Sequence, residues 1–237
     1  MGRAFEYRKA AKFKRWGEMS RVFPRLGRSI TMAAKENGTD PQTNAKLRTA
    51  ILNAKSENMP KENIEAALKR ASLKDLKNMK EVTYEGKAPH GVLIFIETAT
   101  NNSTRTVANI KNYFKKGGGE MLNNGSLEFM FSRKAIFEFE KTNNIDMENL
   151  ELELIDFGLE EIEEEKNTVL VTADYINFGS LSNAFENLKI DLKTATLKRF
   201  ANTPIRLNKE QISDISSLIE HIENDDDVQA VYTNFSF

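Results

Sequence analysis

The chain has 237 residues, 40% of them hydrophobic and none cysteine, so it can bury a sizeable core but forms no disulfide and no cysteine-ligated zinc site. Its longest apolar run, Val92 to Ile96, is strand-sized and far short of the roughly 20 residues that a membrane helix needs. The net charge of −1 hides a division, because the first 80 residues hold 19 Lys and Arg against 8 Asp and Glu, and the remainder 15 against 27.

A chain so divided aims its basic third at a polyanion. The opening residues contain no apolar signal core, and Glu6 stands where a myristoylation motif carries Ser or Thr, so the expected address is cytoplasmic. Arg8, Lys9, Lys12, Lys14, Arg15 and Arg21, with Arg25 and Arg28 just beyond, are opposed only by Glu6 and Glu18. Phe5, Tyr7, Phe13 and Trp16 are interleaved among them, which suits a segment that neutralises phosphates and stacks on bases. These eight cations are the first candidate nucleic-acid contacts.

Pro24 is expected in the first turn of a helix that continues through Leu26, Ile30, Ala33 and Ala34 and stops at Asn37-Gly38. Asp40 as cap and Pro41 in the first turn then open a second helix, whose stripe is Leu47, Ala50, Ile51 and Ala54. The connection Asn58-Met59-Pro60 turns the chain sharply into a third, with Ile64, Ala67, Leu68 and Ala71 at the same spacing. Three such stripes predict a small helical bundle, with Lys46 and Arg48 available on its outer surface as further contacts. Leu73 to Lys80 is polar and reads as a linker.

From Val82 the period changes to that of strands: Val82 to Glu85, Gly91 to Thr98, then a helix from Thr104 to Lys116 ended by Gly117-Gly118-Gly119, then a strand from Ser126 to Phe131. Residues 134 to 203 read strand, helix, strand, strand, helix, strand, which is the ferredoxin-like order. A helix from Asn208 to Ile222 and a strand from Val228 to Phe235 find no partner inside that unit, so they are expected to complete the sheet begun at Val82. The predicted fold is α+β: an N-terminal helical bundle (1–80) followed by two α/β lobes, of which the ferredoxin-like one (134–203) is inserted into the other (81–133 plus 204–237).

No catalytic or metal-binding pattern stands out. His90 and His221 lack Cys, Asp or Glu partners at metal-ligand spacing, and the glycines at 117 to 119 follow a helix where a phosphate cradle would precede one. The twelve acidic residues between Glu138 and Glu165 alternate with apolar ones and read as solvated faces. No cofactor and no small-molecule substrate are expected.

Asp40-Pro41, Asn44, Leu47-Arg48, Ala50-Ile51, Asn58-Met59-Pro60-Lys61 and Asn63-Ile64 together resemble the signature of the YebC/PmpR family. The likeness continues through Tyr84-Glu85-Gly86, Pro89, Gly91, Asn102, Arg105-Thr106, Gly117-Gly118 and Gly125-Ser126. It departs at Gly2-Arg3-Ala4-Phe5, where the family has a His-Ser-Lys-Trp-like stretch, and at Ala88 and His90, where the family loop is richer in glycine. The resemblance implies a cytoplasmic DNA-binding transcriptional regulator, with translational activation on mRNA or ribosomal RNA, described for mitochondrial relatives, as the alternative. It also implies a role for Arg105 near a helix start, where a phosphate would meet both a guanidinium and the helix N-terminus, unless a neighbouring acid claims the arginine. Duplex DNA is the favoured partner, although no helix-turn-helix recognition helix and no RNA-recognition aromatics are evident.

Overall fold

The computed structural model describes residues 19–71, 79–142 and 145–236. Helices α1 (Met19–Asn37), α2 (Ala45–Ser56) and α3 (Lys61–Ala71) form the bundle. Its core is Ile30, Leu47, Ala54 and Ala67, all without solvent contact, closed by Met59 and Ile64. The alanines let the helix axes approach closely. The turn between α2 and α3 works as its residues predict: Asn58 takes a left-handed φ of 60°, and the Met59 amide donates back to the Ala54 carbonyl at 2.9 Å.

Two expectations about these helices are corrected. The cap of α2 is Asn44 and not Asp40: Asn44 Oδ1 accepts the Leu47 amide, while its buried Nδ2 donates to the carbonyls of Ala33 and Gly38, each at 2.8 Å. Asp40 instead folds a turn on itself by accepting the Gln42 amide. Pro24 lies inside α1 and not in its first turn, because the preceding residue, Phe23, packs on the bundle core and holds the helix together upstream of the proline.

The chain continues through β1 (Lys80–Lys87), β2 (Leu93–Thr100), α4 (Ser103–Lys116) and β3 (Glu120–Leu122). It then makes β4 (Phe131–Glu140), α5 (Met147–Ile155), β5 (Leu159–Glu165), β6 (Thr168–Asp174), α6 (Phe178–Asn187) and β7 (Leu192–Ala201). It closes with β8 (Ile205–Arg206), α7 (Lys209–Glu223), β9 (Val228–Thr233) and β10 (Phe235–Ser236). Of the expected linker, residues 73–78 lie outside the described residues, and Lys80 already belongs to β1.

The first sheet has the order β3-β1-β2-β9, antiparallel throughout. Helices α4 and α7 bury Ile110, Phe114, Ile215 and Ile222 against Ile94 and Ile96. Gly86 makes room for the Phe114 ring, since a Cβ there would lie 2.1 Å from it. The second sheet has the order β5-β6-β4-β7, also antiparallel, which is the ferredoxin-like arrangement. Its core holds Phe137, Phe139, Leu154, Leu181 and Phe185. The chain thus leaves the first sheet through β4 and comes back to add β9 beside β2, as the two unpaired elements required.

The expected strand from Ser126 to Phe131 is a turn and a 3-10 segment, with β4 starting only at Phe131. The Gly125 and Leu127 amides are taken by the Glu85 carboxylate and are lost to any ladder. The last strand is broken at Asn234, whose Oδ1 accepts the Leu93 amide at 2.8 Å, and β10 pairs in parallel with β8 instead.

Candidate nucleic-acid interface

Arg21, Arg25 and Arg28 share one face of α1, by their spacing of four and three. That face meets the first α/β lobe. Arg25 Nη2 donates to the Glu223 carbonyl at 2.7 Å, at the end of α7 where carbonyls lack helical partners and the helix dipole favours a cation. Arg28 Nη1 donates to the Ala99 carbonyl at 2.8 Å and reaches Asp227 Oδ1 at 3.3 Å. Arg21 is half-buried. Arg8, Lys9, Lys12, Lys14 and Arg15 lie outside the described residues.

Asp227 is the centre of this junction. Its side chain is only 6% exposed, and Oδ2 accepts from Arg105 Nη2 at 2.7 Å and from the hydroxyls of Thr106 at 2.8 Å and Thr100 at 3.0 Å. Burial by itself raises a carboxyl pKa, but here the hydrogen bonds from Arg105, Thr106 and Thr100 outweigh it, and Asp227 sits below the usual carboxylate range. The hydrogen bond to Asp227 correspondingly raises Arg105. Arg105 stands where α4 begins, its amide accepted by the Asn102 cap, and its side chain remains 51% exposed. The acid that the sequence left as an alternative partner for Arg105 is thus Asp227, from the loop before β9.

Above this cluster opens a cleft of about 520 Å³, lined among others by Arg28, Arg105, Asn109, Tyr113, Asp225 and Asp226. Asn109 Nδ2 and Tyr113 Oη both donate to Asp225 Oδ2 at 3.0 Å. Desolvation, then the bond to Asp225, pushes the Tyr113 hydroxyl up to about 12, so it stays a donor at neutral pH. The structure therefore brings Arg28 and Arg105 together on one carboxylate, and sets Lys46 and Arg48 apart from them on α2. Lys46 pairs with Glu36 at 2.6 Å; Arg48 donates to the Pro41 carbonyl at 3.1 Å and reaches Glu186 of α6 at 3.3 Å. Lys55, Lys61, Lys69 and Arg70 add exposed positive charge on α2 and α3.

Sequence reasoning missed Asp227, hidden in the run Asp225-Asp226-Asp227 that reads as solvated. It also missed the pairing of His90 Nε2 with Asp214 Oδ2 at 2.8 Å, which ties the loop before β2 to α7. Among the described residues no group of three or more His, Cys, Asp or Glu could hold a metal ion.

A three-part α+β chain, with a basic bundle clamped to two α/β lobes, is the class that this geometry defines. Residues 3–74 match the family profile of the TACO1/YebC protein N-terminal domain, and residues 79–235 that of the TACO1/YebC second and third domain. The chain belongs to the TACO1/YebC family. It is 62% identical to a probable transcriptional regulatory protein of Sulfurimonas denitrificans, over 100% of both chains, and 56% identical to one of Helicobacter pylori, over 99% of both. A crystal structure of a conserved hypothetical protein from Aquifex aeolicus superposes with a TM-score of 0.72 at 30% identity, covering 91% of this chain and 89% of that one.

Proposed function

We propose that this protein is a nucleic-acid-binding regulator of gene expression acting in the cytoplasm, with duplex DNA as its partner and no catalytic role. The observation that carries the reading is the concentration of 19 Lys and Arg in the first 80 residues of a chain whose net charge is −1. Phosphate neutralisation dominates nucleic-acid affinity, and a surface built for it shows this imbalance. The names of the curated relatives, probable transcriptional regulatory proteins, support the same reading. The contacts are assigned to Arg8, Lys9, Lys12, Lys14, Arg15 and Arg21, with Lys46 and Arg48 on α2. Arg25, Arg28 and Arg105 serve chiefly to lock the bundle on the lobe, and Arg105 keeps half its surface open to a phosphate. Among the described residues no helix is long and apolar enough to cross a membrane.

The test is the salt dependence of binding. If these cations neutralise about 5–8 phosphates of a duplex, log affinity falls against log salt with a slope of about −4.5 to −7. Changing Lys12, Lys14 and Arg15 together to Glu is expected to weaken binding sharply and flatten the slope, whereas reversing Glu163, Glu164 and Glu165 leaves both unchanged. Competition between duplex DNA and structured RNA decides the nucleic acid: a preference for A-form RNA at matched charge overturns the duplex-DNA assignment. An unchanged slope in the triple variant removes the electrostatic basis of the reading.

A further inference from the structure

The second sheet buries apolar side chains on both of its faces. Ala135, Phe137 and Phe139 of β4 and Val169 and Val171 of β6 meet the core residues of α5 and α6, and Leu52 of α2 packs on that side too. Strand alternation sends Ile136 and Leu170 to the opposite face. There Thr172 and Thr196 lie directly across from Ile136, and Glu138 and Glu163 directly across from Leu170. Ile136 is nevertheless only 8% exposed and Leu170 only 6%, and Phe200 is the one apolar side chain among the described residues that packs against them.

An antiparallel sheet with helices on one face ordinarily turns polar residues to water on the other. Neighbouring threonines and glutamates narrow the exposure of an apolar side chain between them, but burial this deep also needs a cover. The chain outside the described residues is 1–18, 72–78, 143–144 and 237. Residues 72–78 are tied at both ends, to α3 and to Met79, whose carbonyl accepts Lys35 Nζ at 3.2 Å, and the two pieces 143–144 and 237 are too short to cover a sheet. Residues 1–18 carry Phe5, Tyr7, Phe13 and Trp16. Fully extended they reach up to about 60 Å, against about 15 Å for the width of four strands. The bundle they lead into already touches the edge strand β7, where Asn53 exchanges hydrogen bonds with Ala195.

We infer that this face of the second sheet is a docking surface for residues 1–18 of the same chain, whose aromatic rings cap Ile136, Leu170 and Phe200. Glu138 and Glu163 beside Leu170 disfavour a polyanion there and tolerate a segment with six Lys and Arg against two Glu. The rings supply the contact by apolar burial. The cations of the arm thus stay available for phosphates and take a fixed origin beside the bundle.

The experiment uses the full chain, whose lack of cysteine lets thiols be placed at will. Ala10→Cys is combined with Thr172→Cys on the docking face or, as a control, with Glu151→Cys on α5, and each pair is treated with a short bismaleimide. The first pair is expected to crosslink within one chain about tenfold faster than the second, and to do so equally in 1 M salt, because screening leaves apolar burial intact. Trypsin, which cuts the arm after its cations, is expected to act about tenfold faster when Phe5, Tyr7, Phe13 and Trp16 are all changed to Ser, a variant that leaves the folded body untouched. Ile136→Thr with Leu170→Thr, which keeps β-branched residues in the strands, releases the arm to the same extent. Equal crosslinking of the two pairs overturns the inference, as does unchanged cleavage in the arm variant. Loss of the crosslink in 1 M salt overturns it in favour of an arm held by charge alone, and crosslinks that form only between chains assign the face to a second copy. None of these readouts involves nucleic acid, so their failure leaves the reading above standing.

Discussion

Asp227 gathers four donors from three parts of the chain on one buried carboxylate: Arg28 of α1, Thr100 at the end of β2, and Arg105 and Thr106 of α4. Replacing it by Asn keeps the shape but leaves two guanidinium groups facing a neutral amide. Asp227→Asn is expected to cost about 3 kcal/mol at neutral pH, the lower end for breaking a buried ion pair because Arg105 is half exposed. The pH dependence follows from the direction of the shift. The folded pKa lies below the ordinary value of 3.8, so the stabilisation is fully present above that value and is lost as pH falls through the folded pKa. Urea unfolding of wild type and variant should therefore differ most near neutrality and converge in strong acid; a constant difference down to the lowest pH would show that the charge of Asp227 plays no part.

At the scale of elements, stability rests on the close approach that small residues permit. Ala54 faces the bundle core with no solvent contact, so Ala54→Phe is expected to overpack it and cost about 1–3 kcal/mol, read as a lower denaturant midpoint by circular dichroism. This stripe was legible because helical periodicity records which face is buried. The ends of the elements were less so. Asp40 and Asn44 are equally good caps by residue type, and only the packing of Asn44 against Ala33 and Gly38 of the neighbouring helix end selects it. Pro24 reads as a helix start until Phe23 is seen to be held by the bundle, and the short strand β3 has too few residues to show a period. Asp227 and Glu85 were illegible for a related reason. An acidic residue reads as solvated unless its donors, all distant in sequence or on the backbone, are already placed.

Three polar joints tie the parts of the molecule together. Arg25 and Arg28 fasten the bundle to the first lobe; Asn53 of α2 exchanges two hydrogen bonds with the backbone of Ala195 on β7, at 2.7 and 3.0 Å, fastening it to the second. Arg199 of β7 closes the third joint, its Nε 2.9 Å from Glu97 and its guanidinium 4.0 Å from the centre of the Phe95 ring. These contacts are polar or charge-bearing, and apolar packing adds to them: Leu52 of α2 lies against the core of the second lobe, and Phe95, Leu127 and Phe131 form a small cluster between the two lobes, while the three large cores otherwise belong each to one part. The chain crosses into and out of the second sheet at one place, where Phe131 pairs with Ala201. Excising residues 134–203 and bridging the ends with a short linker is therefore expected to leave a cooperatively folding remnant. Ending the chain at Pro204 should do the opposite. It removes α7, which buries Ile215, Leu218 and Ile222 in the first core, and it strips β9 from β2 and Asp227 from its four donors. Thermal unfolding of the two deletions compares them directly: a sharp transition for the excision and none for the truncation is the expected pair, and a truncation as stable as the full chain would mean that β9 and α7 are not part of the first lobe's fold.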